Sequence, residues 1–341
     1  MKKRELLQEK IEHIDCKSFD STPIVNGMRK MSFSSRQLAV ASDLFVKMLR
    51  DQKCSIILCL SGSTMAAGCK QLYVDMIRYN MVDAIVATGA SIVDMDFFEA
   101  IGNSHYKGRS EISDLRLREN YINRIYDTYI DEDDLQACDQ TIKEIADNLP
   151  PGIYSSREFI LEMGRYLATY YPQEESLVGA AYENDVPIIC PAFADSRAGI
   201  GLVRHQWENP SAHLSIDCVK DFRELTQIKI TAGSTGLFIV GGGAPKNFAM
   251  DAITCAEVLG EQAPKHKYAV QITVADARDG ACSSSPLTEA ISWGCIEPRN
   301  EQMVFAEATT VVPLIISYAY HSGVWKKRGR KGFQNLFQNN S

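Results

Sequence analysis

Short, almost wholly apolar runs recur along the chain, each bounded by small or polar residues. CSIILCL (54–60) is followed by the small-residue turn SGSTMAAG (61–68) and by CKQLYVDMIRYN (69–80), which reads as a helix. VDAIVAT (82–88) repeats the pattern and runs into GASIVDMDF (89–97) and a further helix. Apolar strands alternating with helices predict a parallel sheet covered on both faces. The pattern resumes at DVPIICPAF (185–193) and recurs at LSIDCVKDF (214–222), GLFIVGGG (236–243), KYAVQIT (267–273) and MVFAEATTVVPLIISYAY (303–320).

Between the two sets, residues 101–180 are polar and read as mostly helical, with YIDEDDLQACDQTIKEIADNL (129–149) the clearest amphipathic stretch. Strands on either side share one character. The expected fold is therefore α/β: a Rossmann-like parallel sheet flanked by helices, in a single large domain with an excursion. Residues 1–25 are expected to form a short amphipathic helix and an irregular arm. The domain proper spans 26–325, opening with the serine-capped helix SSRQLAVASDLFVKMLRDQ (34–52). The basic, then amide-rich stretch 326–341 is expected to be a frayed, disordered tail.

Composition narrows the classes. A hydrophobic share of 45% and a charged share of 23% are ordinary for a globular chain, and a net charge of −7 speaks against general nucleic-acid affinity. No run approaches the roughly 18 apolar residues of a membrane span. MKKRELLQEKIEHID lacks the apolar centre of a signal peptide, so a cytoplasmic location is expected. The ten cysteines form no CxxC pair, and several lie in apolar runs, as buried reduced thiols would. His105, His205, His213, His266 and His321 show no HxxxH or HxH spacing, so no metal is expected.

In open parallel sheets, ligands bind beyond the carboxyl ends of the strands. Polar and small residues gather there: Ser61–Ser63, Thr88–Asp94, Ala194 and Asp195, Gly241–Gly243, Thr273–Asp279 and Glu307. A glycine triplet between strand and helix suits a backbone-amide site for phosphate, and equally a tight turn. One acid at a strand end caps a helix as readily as it binds a ligand. Asp94, Asp195, Asp279, Glu289 and Glu307 converging on one rim would make a cation or ribose site. In EAISWGCI (289–296), Glu289 and Trp293 share a helical face, and an indole wall suits an ammonium or a polyamine chain. Cys295 follows, with no histidine near it in sequence to lower its pKa.

Taken together, NMVDAIVATGAS, RENYINRI, PIICPAFADS, GLFIVGGGAPKN, DGACSSSPLTEAISWG and FAEATTVVPLI make the chain resemble the deoxyhypusine synthase family from about Ile56 to Ile316. That family uses NAD to oxidise spermidine and passes its aminobutyl group to a protein lysine or, in relatives, to a free amine. The resemblance implies NAD contacts at Gly62, Ser63, Thr64, Ala66, Thr88, Gly89, Ala90, Asp94, Asp195, Gly242, Val274, Ala275, Glu307 and Ala308. It implies an amine site at Asp94, Ile200, Asn247, Asp279, Gly280, Cys282, Glu289 and Trp293.

Several positions depart from the family pattern. Ile200 and Cys282 stand where it carries aspartates, and Asn247 where it carries a histidine. Cys295 stands where it carries the lysine that forms a covalent imine, and a thiol cannot form one. The expected function is thus an NAD-dependent aminobutyl or related aminoalkyl transferase acting on a polyamine without a lysine-bound intermediate. Two alternatives stay open: an amine-oxidising enzyme that releases the imine, and a non-catalytic NAD-binding paralogue. An eIF5A-type protein acceptor is not expected. The resemblance implies a homotetramer with active sites at subunit interfaces, with residues 1–25 packing over a neighbour's site.

Overall fold

The structure, a computed structural model, describes residues 2–337. Six strands form a parallel sheet: β1 (Ser55–Leu60), β2 (Ala84–Ala87), β7 (Ile188–Ile189), β9 (Thr235–Val240), β10 (His266–Thr273) and β11 (Glu301–Phe305). Their order is β11-β10-β9-β1-β2-β7. Every residue of β1, β2 and β9 is buried, because helices cover both faces. One core lies under Phe33–Arg50, Lys70–Arg78 and Ala308–His321, and the other under Cys218–Ala232 and Gly243–Val258.

The chain runs outward from β1 through β2 to β7, then returns to β9 beside β1 and runs outward through β10 to β11. Strand order reverses between β1 and β9, which makes that seam the topological switch point of a doubly wound sheet. Among the described residues, no helix is long and apolar enough to cross a membrane.

Four expectations about elements need correction. The excursion is largely helical as expected, through Asp114–Glu119, Glu132–Asp147 and Ser156–Tyr170, but a sheet must be added to it: β3 (Tyr106–Lys107), β4 (Ile122–Ile125) and β5 (Thr128–Asp131) pair antiparallel in the order β3-β5-β4. LSIDCVKDF contributes only β8 (Leu214–Ile216), which leaves the main sheet to pair with β6 (Gly152–Tyr154). Asp217 then caps a helix by accepting from the amides of Val219 and Lys220. VVPLIISYAY is helix, within Ala308–His321, and is mostly buried, so its apolar run carried no period to separate it from a strand.

The fourth correction concerns the ends. The first helix spans only Lys3–Leu6, and the arm holds a second helix at Thr22–Met28. The arm is stitched to the body by Ile11 N–H to His105 C=O (2.9 Å) and Lys107 N–H to Glu9 C=O (2.8 Å). The tail is packed rather than frayed as far as Phe337. Arg328 is buried and pairs with Asp83 at 2.6 Å, and Phe333 joins the second core. Positions 338–341 lie outside the described residues.

Candidate functional site

At the switch point, Ser61 directly follows β1 and the glycine triplet directly follows β9. Ser61 Oγ accepts from Gly242 N–H at 2.8 Å and donates to a nearby main-chain carbonyl, that of Gly242 lying 3.1 Å away. No side chain fits at the first two residues of the triplet. A Cβ on Gly241 would come within 2.5 Å of Ser61 Oγ, and one on Gly242 within 2.6 Å of Ser283 Cα. Gly241 and Gly243 also hold left-handed backbone, with φ of 76° and 62°. The helix Gly243–Val258 starts here, so its free N–H groups face the strand ends.

A cleft of about 840 Å³ opens over this seam. Of the positions expected to contact NAD, Gly62, Ser63, Thr64, Ala66, Thr88, Val274, Ala275, Glu307 and Ala308 line it. Gly242 is buried in the turn, and Gly89 is packed against Ser196 and Phe193, with no room for a Cβ. Glu307 caps Ala308–His321 through the amides of Thr309 (2.9 Å) and Thr310 (3.1 Å). Its carboxylate therefore already has a structural task. The segment after β2 winds as a wide π-type turn, Ala90–Phe97, and the one after β1, Met65–Cys69, is kinked at Gly68, with φ of 99°.

A second group lies at the start of helix Arg197–Glu208. Asp94 Oδ1 accepts from Arg197 N–H at 2.7 Å, and burial raises its pKa to about 6. Asp195 is exposed beside it. Ile200 lies on the same helix and is 45% exposed.

The third group faces the first turns of helix Gly243–Val258. Asp279 accepts from Ala281 N–H (2.7 Å) and from Ser284 Oγ, bracing the loop that follows Gly280. Cys282 Sγ lies 3.2 Å from the Gly243 carbonyl. Glu289 and Trp293 are both exposed, Trp293 by 46%, and Trp293 N–H reaches the Glu289 carbonyl at 3.3 Å. Cys295 is buried in the second core, with Sγ 3.7 Å from the Trp293 carbonyl. Burial pushes the thiols of Cys282 and Cys295 up, so both stay protonated near neutral pH.

Sequence reasoning missed four features. Ile125, Tyr126, Asp127 and Thr128, around the tip of the β4–β5 hairpin, line the cleft. Lys246 is fully buried and donates to Ser285 C=O (2.6 Å), Ser285 Oγ (2.9 Å) and Cys282 C=O (3.2 Å). Burial lowers its pKa. Asp251 accepts from Asn247 Nδ2 at 2.8 Å, one helical turn on, and its charge acts on both Cys282 and Cys295. The fourth is Asp15, Cys16 and Asp75, close enough together to hold a cation, with the Lys17 ammonium 3.0 Å from Asp15 and 2.7 Å from Asp75. The helical i, i+4 spacing of Asn247 and Asp251 was the one available signal for that pair.

Comparison with known proteins accounts for this arrangement. The family model for deoxyhypusine synthase matches residues 23–319. A "Deoxyhypusine synthase-like protein" of Coxiella burnetii is 62% identical over 340 residues, 99% of this chain and 97% of that one. A "Probable deoxyhypusine synthase 2" of Methanosarcina mazei is 35% identical over 325 residues, 95% of this chain and 92% of that one. The crystal structure of a candidate deoxyhypusine synthase from Entamoeba histolytica shares the fold, with a TM-score of 0.62 at 21% identity over 94% of this chain and 99% of that one. The chain belongs to the deoxyhypusine synthase family, a family of NAD-dependent aminobutyltransferases.

Proposed function

We propose that the protein is an NAD-dependent aminoalkyl transferase that moves an aminobutyl or similar group from a polyamine to a small amine. The observation that carries this reading is the split between the two halves of the site. The glycine turn and the strand-end cleft suit a dinucleotide, whereas the position of the family's imine-forming lysine is a buried, protonated thiol.

The cleft fits NAD on its own geometry. The triplet lets backbone approach a pyrophosphate, the helix start at Gly243 offers N–H groups, and the volume suits a dinucleotide. When bound, NAD supplies reversible removal of a hydride from the carbon bearing the amine nitrogen, so that amine exchange at the resulting imine and hydride return leave it unchanged. Gly62–Thr64, Thr88 and Gly242 would hold its phosphates and riboses, with Glu307 and Asp195 at the rim.

Glu289 and Asp251 would hold the donor's ammonium groups, and Trp293 would line the methylene chain. Asp251 matters because Ile200 and Cys282 offer no carboxylate. Ile200 makes one end of the amine path apolar, suiting a substrate or acceptor with an uncharged end there. Cys295 takes no part: the acceptor amine attacks the imine carbon directly, and the donor's original C–N bond breaks to release the rest of the polyamine as an amine. A homotetramer, with sites completed at subunit interfaces and residues 1–25 reaching a neighbour, belongs to the same reading, as does a cytoplasmic location.

The test is incubation of the protein with NAD and a panel of di- and polyamines, with products identified by mass. An N-aminoalkyl transfer product is expected, lowered at least tenfold in Glu289→Gln. An aldehyde or cyclic imine with accumulating NADH would replace this reading with amine oxidation. Silence across the panel, with NAD still bound, would make the protein a non-catalytic NAD binder.

A further inference from the structure

The β4–β5 hairpin closes with a two-residue loop, Tyr126 and Asp127, between the paired Ile125 and Thr128. The loop is left-handed at its first residue, Tyr126 at φ 51°, a position where tight hairpins favour glycine. A bulky side chain there is a genuine conformational outlier. The tyrosine is also 74% exposed, so packing within the chain returns little for the strain.

The loop is nonetheless rigidly held. Arg124 pairs with Asp114 through two nitrogens (2.8 and 2.9 Å) and donates to the Tyr126 carbonyl at 2.8 Å. Gly108 N–H donates to the Asp127 carbonyl at 2.6 Å, and the Tyr129 ring fills the space a Cβ at Gly108 would need. The braced tip lines the mouth of the strand-end cleft. Val274, 74% exposed, and Ala275 line the same cleft from the end of β10.

A strained, exposed aromatic on a fixed tip, beside a cleft with an exposed aliphatic wall, has the form of half a sandwich awaiting a flat ring. We infer that Tyr126 is a cofactor-binding residue that stacks on a planar heteroaromatic ring of the bound cofactor and closes the cleft mouth over it. This rests on the reading of the cleft as an NAD site. Both rings of the dinucleotide share the required chemistry, and fragments separate them.

The experiment measures NAD affinity by calorimetry, and melting temperature, for the full chain and for Tyr126→Phe, Tyr126→Ala and Tyr126→Gly. Phe should bind within about twofold of wild type, whereas Ala and Gly should bind roughly five- to tenfold more weakly. Gly should also melt roughly 1–3 °C higher, because it relieves the left-handed backbone. A purely structural tyrosine would not give weaker binding together with a more stable fold. Repeating the titrations with ADP-ribose and with nicotinamide mononucleotide identifies the ring, since only the stacked fragment should lose affinity in Tyr126→Gly.

Equal NAD affinity in wild type and Tyr126→Gly overturns the stacking role and leaves the cofactor assignment standing. A change in oligomeric mass with unchanged affinity also overturns it, assigning Tyr126 to a contact between copies. Failure of the wild type to bind NAD overturns the cofactor assignment and the stacking role together.

Discussion

The cofactor cleft and the amine wall meet at the start of one helix, Gly243–Val258, yet they are built differently. On the cleft side, backbone is pressed so closely that Gly241, Gly242 and Gly89 admit no side-chain atom. On the wall side, Gly280 and Gly294 are left-handed but have open space where a Cβ would go. Close backbone packing leaves little freedom to vary. An exposed loop braced by its own Asp279 tolerates replacement. Of the residues that differ from the family pattern, Cys282 falls on this loop, whereas Cys295 lies beyond it, buried in the second core.

The largest expected effect tests that contrast directly. Gly242→Ala should weaken NAD binding about a hundredfold, because its Cβ must displace the Ser283 backbone and with it the cleft floor. Gly280→Ala should cost only about 1–3 kcal/mol of backbone strain and leave NAD affinity nearly intact. Calorimetry and thermal melting of the two variants measure both. Similar NAD losses in the two would break the contrast.

A middle-sized effect comes from Asp94, whose pKa burial raises from its ordinary 3.8 to about 6. The folded state then binds more protons than the unfolded one between these values. This group's contribution to stability therefore falls as pH rises from about 4 to about 6. Polyamine affinity should move the other way, rising several-fold between pH 5 and pH 7 as the carboxylate ionises. Asp94→Asn should flatten both profiles. A wild-type affinity that is flat across this range would remove Asp94 from the amine path.

The smallest effect is expected at Cys295. Cys295→Ala should lower stability by about 1 kcal/mol through lost packing and change turnover less than twofold. A tenfold loss of turnover with the fold intact would give the thiol a chemical role.

The sheet and its switch point were legible because β1, β2 and β9 are buried on both faces and so are written as continuous apolar runs. The hairpin was not, since β4 (INRI) and β5 (TYID) are short, lack the alternation of a half-buried strand, and are joined by a tyrosine where glycine is the usual signal. VVPLIISYAY carried no period because most of its helix is buried. The cleft-lining glycines were readable as strand-end turns, but Asp251 and Lys246 act through contacts with the 282–295 loop that local spacing does not reveal. The packed tail depends on Arg328 meeting Asp83, a partner distant in sequence.

That last pair has a consequence for how the molecule assembles. Asp83 precedes β2, accepts from Ile56 N–H at 2.7 Å, and is buried together with Arg328. Its counter-charge lies 245 positions further along the chain. The earliest strand–helix–strand unit must therefore form around a carboxylate that stays hydrated or protonated until residue 328 arrives. Late locking of an early unit raises the entropic barrier to folding. Refolding of Arg328→Ala should thus stop at a collapsed state in which water still enters the edge between β1 and β2.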